Sequence, residues 1–252
     1  MNTLKSVITL TFGESAENHV GMEKLGSIAE EGKGFSTQDL RIIQNLLGGQ
    51  VYSLNPDTSY PEASVYVLPN GINTILSEIG KTKDDLFAEQ IQLEHDKKAL
   101  MYGRVVNKNA RWNLCFDDVG HEPEYEKGKG RVIPWDQIPL TKHIRENLHT
   151  FFGPKAAAMK CEANYYYDKA KCGIGFHGDS ERRKVVGMRL GSSMDICYQW
   201  YKDNQPVGDK IIIPLNGGDI YIMSEKAVGT DWKKRSILTL RHAAGSPKFT
   251  GV

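Results

Sequence analysis

His177 and Asp179 stand two residues apart in the run Phe176-His177-Gly178-Asp179. At a strand end, residues i and i+2 lie on the same side, so this imidazole and this carboxylate can reach one cation. Two neutral imidazoles and a carboxylate, with coordination positions left open, form the face that suits iron(II) in a non-haem oxygenase. Alone, the pair is equally the mark of a surface turn in which Asp179 caps the backbone and His177 is merely buried. The histidine that follows His177 is His242. It is the neutral ligand available to complete such a set. It comes directly after Arg241, and neighbouring strand residues point to opposite faces.

The pair has company. Asn164-Tyr165-Tyr166 precedes it, and a strand ending in Leu190-Gly191 follows. Gly218-Asp219-Ile220-Tyr221-Ile222-Met223 comes next, then Arg235, Thr239, Arg241 and Gly245 in a closing segment. In this order the pieces resemble the AlkB-like branch of the iron(II)/2-oxoglutarate dioxygenases, over roughly residues 160–245. The resemblance implies a double-stranded β-helix, or jelly-roll, core that binds Fe(II), 2-oxoglutarate as co-substrate, and O₂. It implies His177 and Asp179 as metal ligands and Asn164 and Tyr166 as 2-oxoglutarate contacts. It implies Arg241, with Arg235, on the far carboxylate. A guanidinium fork suits a carboxylate, and on one strand Arg235, Ile237, Thr239 and Arg241 share a face. The activity implied is hydroxylation or oxidative demethylation coupled to decarboxylation of 2-oxoglutarate to succinate. Asp179 argues against halogenation, since iron halogenases of this superfamily lack the carboxylate.

The chain departs from that pattern in one respect. Residues 224–234, where the distal histidine belongs, contain none. Three arrangements follow. His242 is the third ligand, with the 2-oxoglutarate carboxylate held by another base such as Arg189 or Lys248. Or a non-histidine group near Thr230 or Asp231 completes the set. Or the metal site is degenerate and the protein is a non-catalytic binding module. The first is favoured, giving a set of His177, Asp179 and His242.

Basic runs flank the motifs: Arg182-Arg183-Lys184 after the metal pair, and Trp232-Lys233-Lys234-Arg235 before the last strand. If both frame the pocket mouth, Arg182 and Arg183 meet phosphates and Trp232 stacks a base. Arg111, beside Trp112, offers another positive lip. The expected substrate is therefore a nucleotide, nucleobase or short single-stranded nucleic acid. The alternative keeps the chemistry and changes the substrate to an amino acid, peptide or small metabolite. The same runs also read as solvated turns with compensating acids. The balance of 32 Lys and Arg against 31 Asp and Glu argues against wide duplex binding. Histidines 19, 95, 121, 143 and 149 show no ligand spacing and read as structural or exposed.

The elements that must position these groups point to an α+β chain. Val7 to Phe12 reads as a strand. Ser36 and Asp39 cap a helix that Gly48-Gly49 stops. Ala63 to Leu68 reads as a strand, and residues 72–101 as one or two helices, with Lys83 to Lys98 amphipathic. Another helix spans Leu140 to Phe152. From there strands are expected at Tyr165–Tyr167, Gly173–His177, Val185–Leu190, Ile196–Tyr201, Lys210–Pro214, Asp219–Met223 and Ser236–Arg241. Such a succession, spaced roughly 8–14 residues apart, suits an all-β sandwich, jelly roll or barrel. The 252 residues are expected as one compact unit: a mixed α/β extension over 1–100 packed on a jelly-roll core over 101–252. No apolar run is long enough to span a bilayer, and no signal peptide is recognisable. The scattered Cys115, Cys161, Cys172 and Cys197 read as reduced thiols of a cytoplasmic, intracellular protein.

Overall fold

The structure is a computed structural model that describes residues 5–252. In chain order, β1 (Val7–Gly13), β2 (Ser15–Glu17) and β3 (Lys24–Gly26) lead to α1 (Thr37–Leu47). Then come β4 (Gln50–Ser53), β5 (Ser64–Leu68), α2 (Gly71–Leu76) and α3 (Lys83–Ile91). A hairpin of β6 (Lys98–Met101) and β7 (Arg104–Asn107) precedes β8 (Trp112–Asp117), β9 (Val132–Pro134) and α4 (Pro139–Phe152). The last part holds β10 (Lys160–Tyr166), β11 (Gly173–His177), β12 (Val185–Gly191), β13 (Ile196–Lys202) and β14 (Gln205–Ile213). It continues with β15 (Ile220–Met223), α5 (Glu225–Val228), β16 (Thr239–Gly245) and α6 (Pro247–Thr250).

The fold is α+β and mostly sheet. A large sheet runs β4-β5-β15-β12-β1-β10-β8-β9, and a smaller one runs β11-β16-β13-β14. All neighbours in both are antiparallel except β8 and β9. Val185, Tyr221 and Met223 of the large sheet share a core with Ile196, Tyr198, Trp200 and Leu240 of the small one, so the two sheets face each other. The other face of the large sheet packs on helices, through Leu40, Ile43, Ile75, Leu86, Ile144 and Leu148.

Strand β1 explains its own sequence. It is buried along its whole length, between β10 and β12. Its period of two sends Ile8, Leu10 and Phe12 into the helical core. Thr9 and Thr11 then fall on the face toward the small sheet, where they line a cavity. Residues on both sides of position 100 thus build one sheet: β1, β4 and β5 from before it, and β8, β9, β10, β12 and β15 from after it.

Helix α1 starts as its sequence dictates. The Ser36 hydroxyl accepts from the Asp39 N–H, and the Asp39 carboxylate accepts from the Ser36 N–H. Several expected boundaries move: β10 starts at Lys160, ahead of the expected Tyr165, and β14 at Gln205, ahead of the expected Lys210. The amphipathic segment from Lys83 leaves the helix after Ile91, because buried Asp96 is needed elsewhere. Its carboxylate accepts from Asn18 Nδ2, the Tyr125 hydroxyl and the Arg131 N–H. The closing strand starts at Thr239, not Ser236, so Arg235 lies before it. All four cysteines are free and buried. No helix among the described residues is long and apolar enough to cross a membrane.

Candidate metal centre

His177 ends β11 and Asp179 follows it, while His242 lies across on β16, in register with His177. Strand alternation alone would not bring the histidines together. Ile174 pairs with Ala244 and His177 with His242, so β11 carries three steps where β16 carries two. This β-bulge turns His177 onto the face that already holds Ile174, Ala244 and His242. At the bulge, the Gly175 carbonyl lies 2.8 Å from His177 Nδ1. A proton on Nδ1 donates to it and leaves Nε2 free as a ligand.

One ligand atom from each of His177, Asp179 and His242 lies within 4.8 Å of the others. Asp179 Oδ1 is 3.5 Å from His177 Nε2 and 3.6 Å from His242 Nε2. These separations are long for hydrogen bonds. They suit two donors that converge on one ion from about 2 Å each. The donor set, two imidazoles and a carboxylate, fits iron(II). Burial and the neighbouring His242 push the His177 imidazole down to about 3, so it is a neutral ligand. Burial alone would raise the Asp179 carboxyl. Arg182 and the two imidazoles outweigh it and hold Asp179 below its ordinary value, ionised.

Glycine is required between the two ligands. A Cβ on Gly178 would stand 2.0 Å from the Gly229 carbonyl oxygen and 2.8 Å from Trp232 Cβ. The Asp179 N–H then donates to the Val228 carbonyl at 3.0 Å, which fixes the carboxylate to the α5 turn.

The three groups open into a cavity of about 130 Å³ between the sheets. On its floor, Asn113, Asn164, Thr9 and Arg189 form one row across β8, β10, β1 and β12. Asn164 Oδ1 accepts from Arg111 Nε and from Asn113 Nδ2, both at 2.7 Å. Tyr166 also lines the cavity and is buried. Arg189 is 2 % exposed. It donates to the Thr9 hydroxyl, and its Nε has no partner among the described residues. Tyr221 lies across Gly187, where a Cβ would meet its ring.

The other expected residues are placed elsewhere. Arg241 points away from the cavity, stacked 4.0 Å over Tyr201 and 5.2 Å from Trp232, and it donates to Asn204 Oδ1. Its neighbour His242 faces in, so it cannot. Arg235 is exposed in the loop before β16. Lys248 is exposed on α6. Arg182, expected at the mouth, is 1 % exposed. It donates to Glu162 and Glu181 at 2.7 Å each and lies 3.6 Å from Asp179. Arg183 pairs with Glu225 at 3.0 Å. Trp232 donates to the Ser180 hydroxyl, outside the cavity lining. Asp231 pairs with Lys226, and Thr230 donates to the Arg182 carbonyl, so neither joins the metal cluster.

The lining also holds groups that sequence patterns did not single out: Thr9, Thr11, Glu17, Glu162, Glu181 and His19. The alternating threonines of β1 were the available signal. Glu17 and Glu162 carried none, while Glu181 stands in the charged run beside Asp179 and Arg182.

No protein-family model matches the chain. It is 47% identical over 255 residues to "Uncharacterized protein R156" of Acanthamoeba polyphaga mimivirus, with 99% of each chain covered. At that identity and coverage, the chain belongs to the same family as that mimivirus protein.

Proposed function

We propose that the protein is an Fe(II)/2-oxoglutarate-dependent oxygenase of the AlkB-like kind, acting by hydroxylation or oxidative demethylation. The observation that carries this reading is the convergence of His177, Asp179 and His242 in a cavity that also contains the buried Arg189 guanidinium. Iron(II) held by the three ligands would supply activation of O₂, with 2-oxoglutarate consumed to succinate and CO₂.

The strand order supports a double-stranded β-helix. From β10 to β16 the chain visits the large sheet, the small sheet, the large, the small twice, the large and the small. A double Greek key needs one more strand, between β10 and β12. Here β1 fills that place, from the other end of the sequence.

The chain's own residues have distinct tasks. His177 and His242 offer neutral nitrogens, and Asp179 offers the charge. Arg189, with Thr9, holds the far carboxylate of 2-oxoglutarate in place of Arg241. Asn164 and Tyr166 contact the same molecule, and Arg111 with Asn113 orients the Asn164 amide. The cavity between the sheets, open at its Val20 rim, would shelter the reacting atoms from much of the bulk water.

The ion pairs of Arg182 and Arg183 weigh on the substrate. Two bases expected to meet phosphates are already neutralised. That favours the alternative of an amino acid, peptide or small metabolite over a nucleotide or short single strand.

The test is anaerobic Fe(II) titration followed by succinate formation from 2-oxoglutarate on admission of O₂. One iron per chain is expected, lost in His177→Ala and in His242→Ala. Absence of stoichiometric iron in the wild type would leave the degenerate binding module as the better reading. Iron retained by His242→Ala alone would overturn the third ligand.

A further inference from the structure

The cavity's charge is unevenly spent. Glu162 is satisfied: Oε2 accepts from Arg182 and from the Glu17 N–H, and Oε1 accepts from Asn164 Nδ2. Glu181 shares the same Arg182. One guanidinium therefore serves Glu162, Glu181 and Asp179. Glu17 is left over. It is nine-tenths buried and lines the cavity. One of its oxygens accepts from the Gly21 N–H at 2.6 Å, and the other receives no hydrogen bond from the described residues. Lys24, its cross-strand neighbour, is exposed to solvent.

The second oxygen of this largely buried carboxylate is met only by the cavity, so it is available as an acceptor for a cation that enters there. Burial raises the Glu17 carboxyl above its ordinary value, while Lys24 and Arg182 act in the opposite direction. A metal ion is a poor answer, because Glu17, Glu162 and Glu181 do not form a metal-ligand group among the described residues. An organic cation needs only one directed oxygen. The wall beside Glu17 suits its carbon skeleton: Asn18, His19 and Val20 continue the lining, and Val20 is 78 % exposed at the rim.

We infer that the substrate presents an ammonium or guanidinium group to Glu17, with its alkyl part against Val20. This rests on the oxygenase reading for the word substrate, but the cation site can be tested without it. Agmatine and L-lysine serve as cationic probes and AMP as the anionic one, with binding followed by ligand-observed NMR on the full chain. Agmatine or L-lysine is expected to bind, and Glu17→Gln to weaken it about ten- to a hundredfold. Glu17→Asp, which keeps the charge, is expected to retain part of the affinity. Anaerobic Fe(II) stoichiometry is read in parallel and is expected to be unchanged in Glu17→Gln. Failure of both cations to bind, equal binding to Glu17→Gln, or binding of AMP in their place overturns the inference. Glu17-dependent cation binding in a chain that takes up no iron would sink the oxygenase reading and leave this site standing.

Discussion

Replacing Arg182 with Met removes a guanidinium shared by three buried carboxylates while keeping much of its apolar stem. The Arg182 side chain is 2 % exposed, and its partners Glu162, Glu181 and Asp179 are 12–13 % exposed. Breaking a buried ion pair from one side typically costs about 3–5 kcal/mol, because the remaining charge is stranded. Glu162 keeps two other donors, the Glu17 N–H and Asn164 Nδ2, which places the loss within rather than above that range. For a chain of this size, that corresponds to a fall in Tm of roughly 6–20 °C. The pH dependence has a definite sign. In the wild type the Asp179 carboxyl lies below its ordinary value, so its contribution is present above the unfolded pKa and is lost as pH falls through the folded one. In Arg182→Met the stranded carboxylates move above their unfolded values and regain stability on protonation. The gap between the proteins should therefore narrow from pH 8 to pH 5.5, measured by denaturant unfolding. A variant as stable as wild type at pH 8, or a gap independent of pH, would refute the buried ion-pair account. It would return Arg182 to the solvent-facing role its sequence suggests.

Gly178→Ala forces a methyl against the Gly229 carbonyl and should cost about 1–3 kcal/mol. It should also weaken anaerobic Fe(II) binding; unchanged affinity would show that the His177–Asp179 spacing does not depend on this contact. His95 is buried, its Nδ1 lies 3.0 Å from the Leu93 carbonyl, and burial pushes its imidazole down to about 4. As pH falls below about 6.5 the unfolded chain takes up a proton that the folded one refuses until near 4, so stability drops across that window by about 3 kcal/mol. His177 contributes over the same window, so His95→Phe should lessen the slope of that acid limb in unfolding curves taken between pH 7 and pH 4, and an unaltered slope would exclude His95 as one of its sources.

Much of this was legible because it is local. The Val7–Phe12 run, the Ser36–Asp39 cap, the strand ending at His177 and the His-x-Asp spacing are set by neighbouring residues. Two of the small sheet's strands, β11 and β13, were likewise readable from alternation and turn residues, whereas the expected Lys210–Pro214 covers only the end of β14 and the expected Ser236–Arg241 only the start of β16. Pairings between distant segments were not. Nothing in Val7–Gly13 says that it will lie between β10 and β12, since sheet order is decided by what the remaining chain leaves open. The bulge on β11 is invisible for a related reason: it is defined by the partner strand's count, and Ile174 and His177 share a face only because β16 supplies two steps to their three. Arg182 and Arg183 misled because sequence displays a charge without its partners. Glu162, Glu181 and Glu225 reach them from elsewhere or from the adjacent position.

On the proposed oxygenase reading, the position of the base that would hold the 2-oxoglutarate carboxylate follows from the same alternation. A strand that turns His242 inward must turn Arg241 outward, and Arg241 indeed sits against Tyr201 and Trp232. One strand therefore cannot present both the third ligand and an adjacent base to the same cavity without a bulge of its own, and β16 runs without one from Thr239 to Ala244 against β13. The base has to come from the opposite sheet. There, β1 contributes threonines, whose small side chains leave space over the row from Asn164 to Arg189. Arg189 is the guanidinium that ends this row, its Nε unpaired among the described residues. With His242 as a ligand, the oxygenase reading would therefore need an arginine on a neighbouring element. The buried Arg189 of β12, bonded to Thr9, is the residue that would take this part.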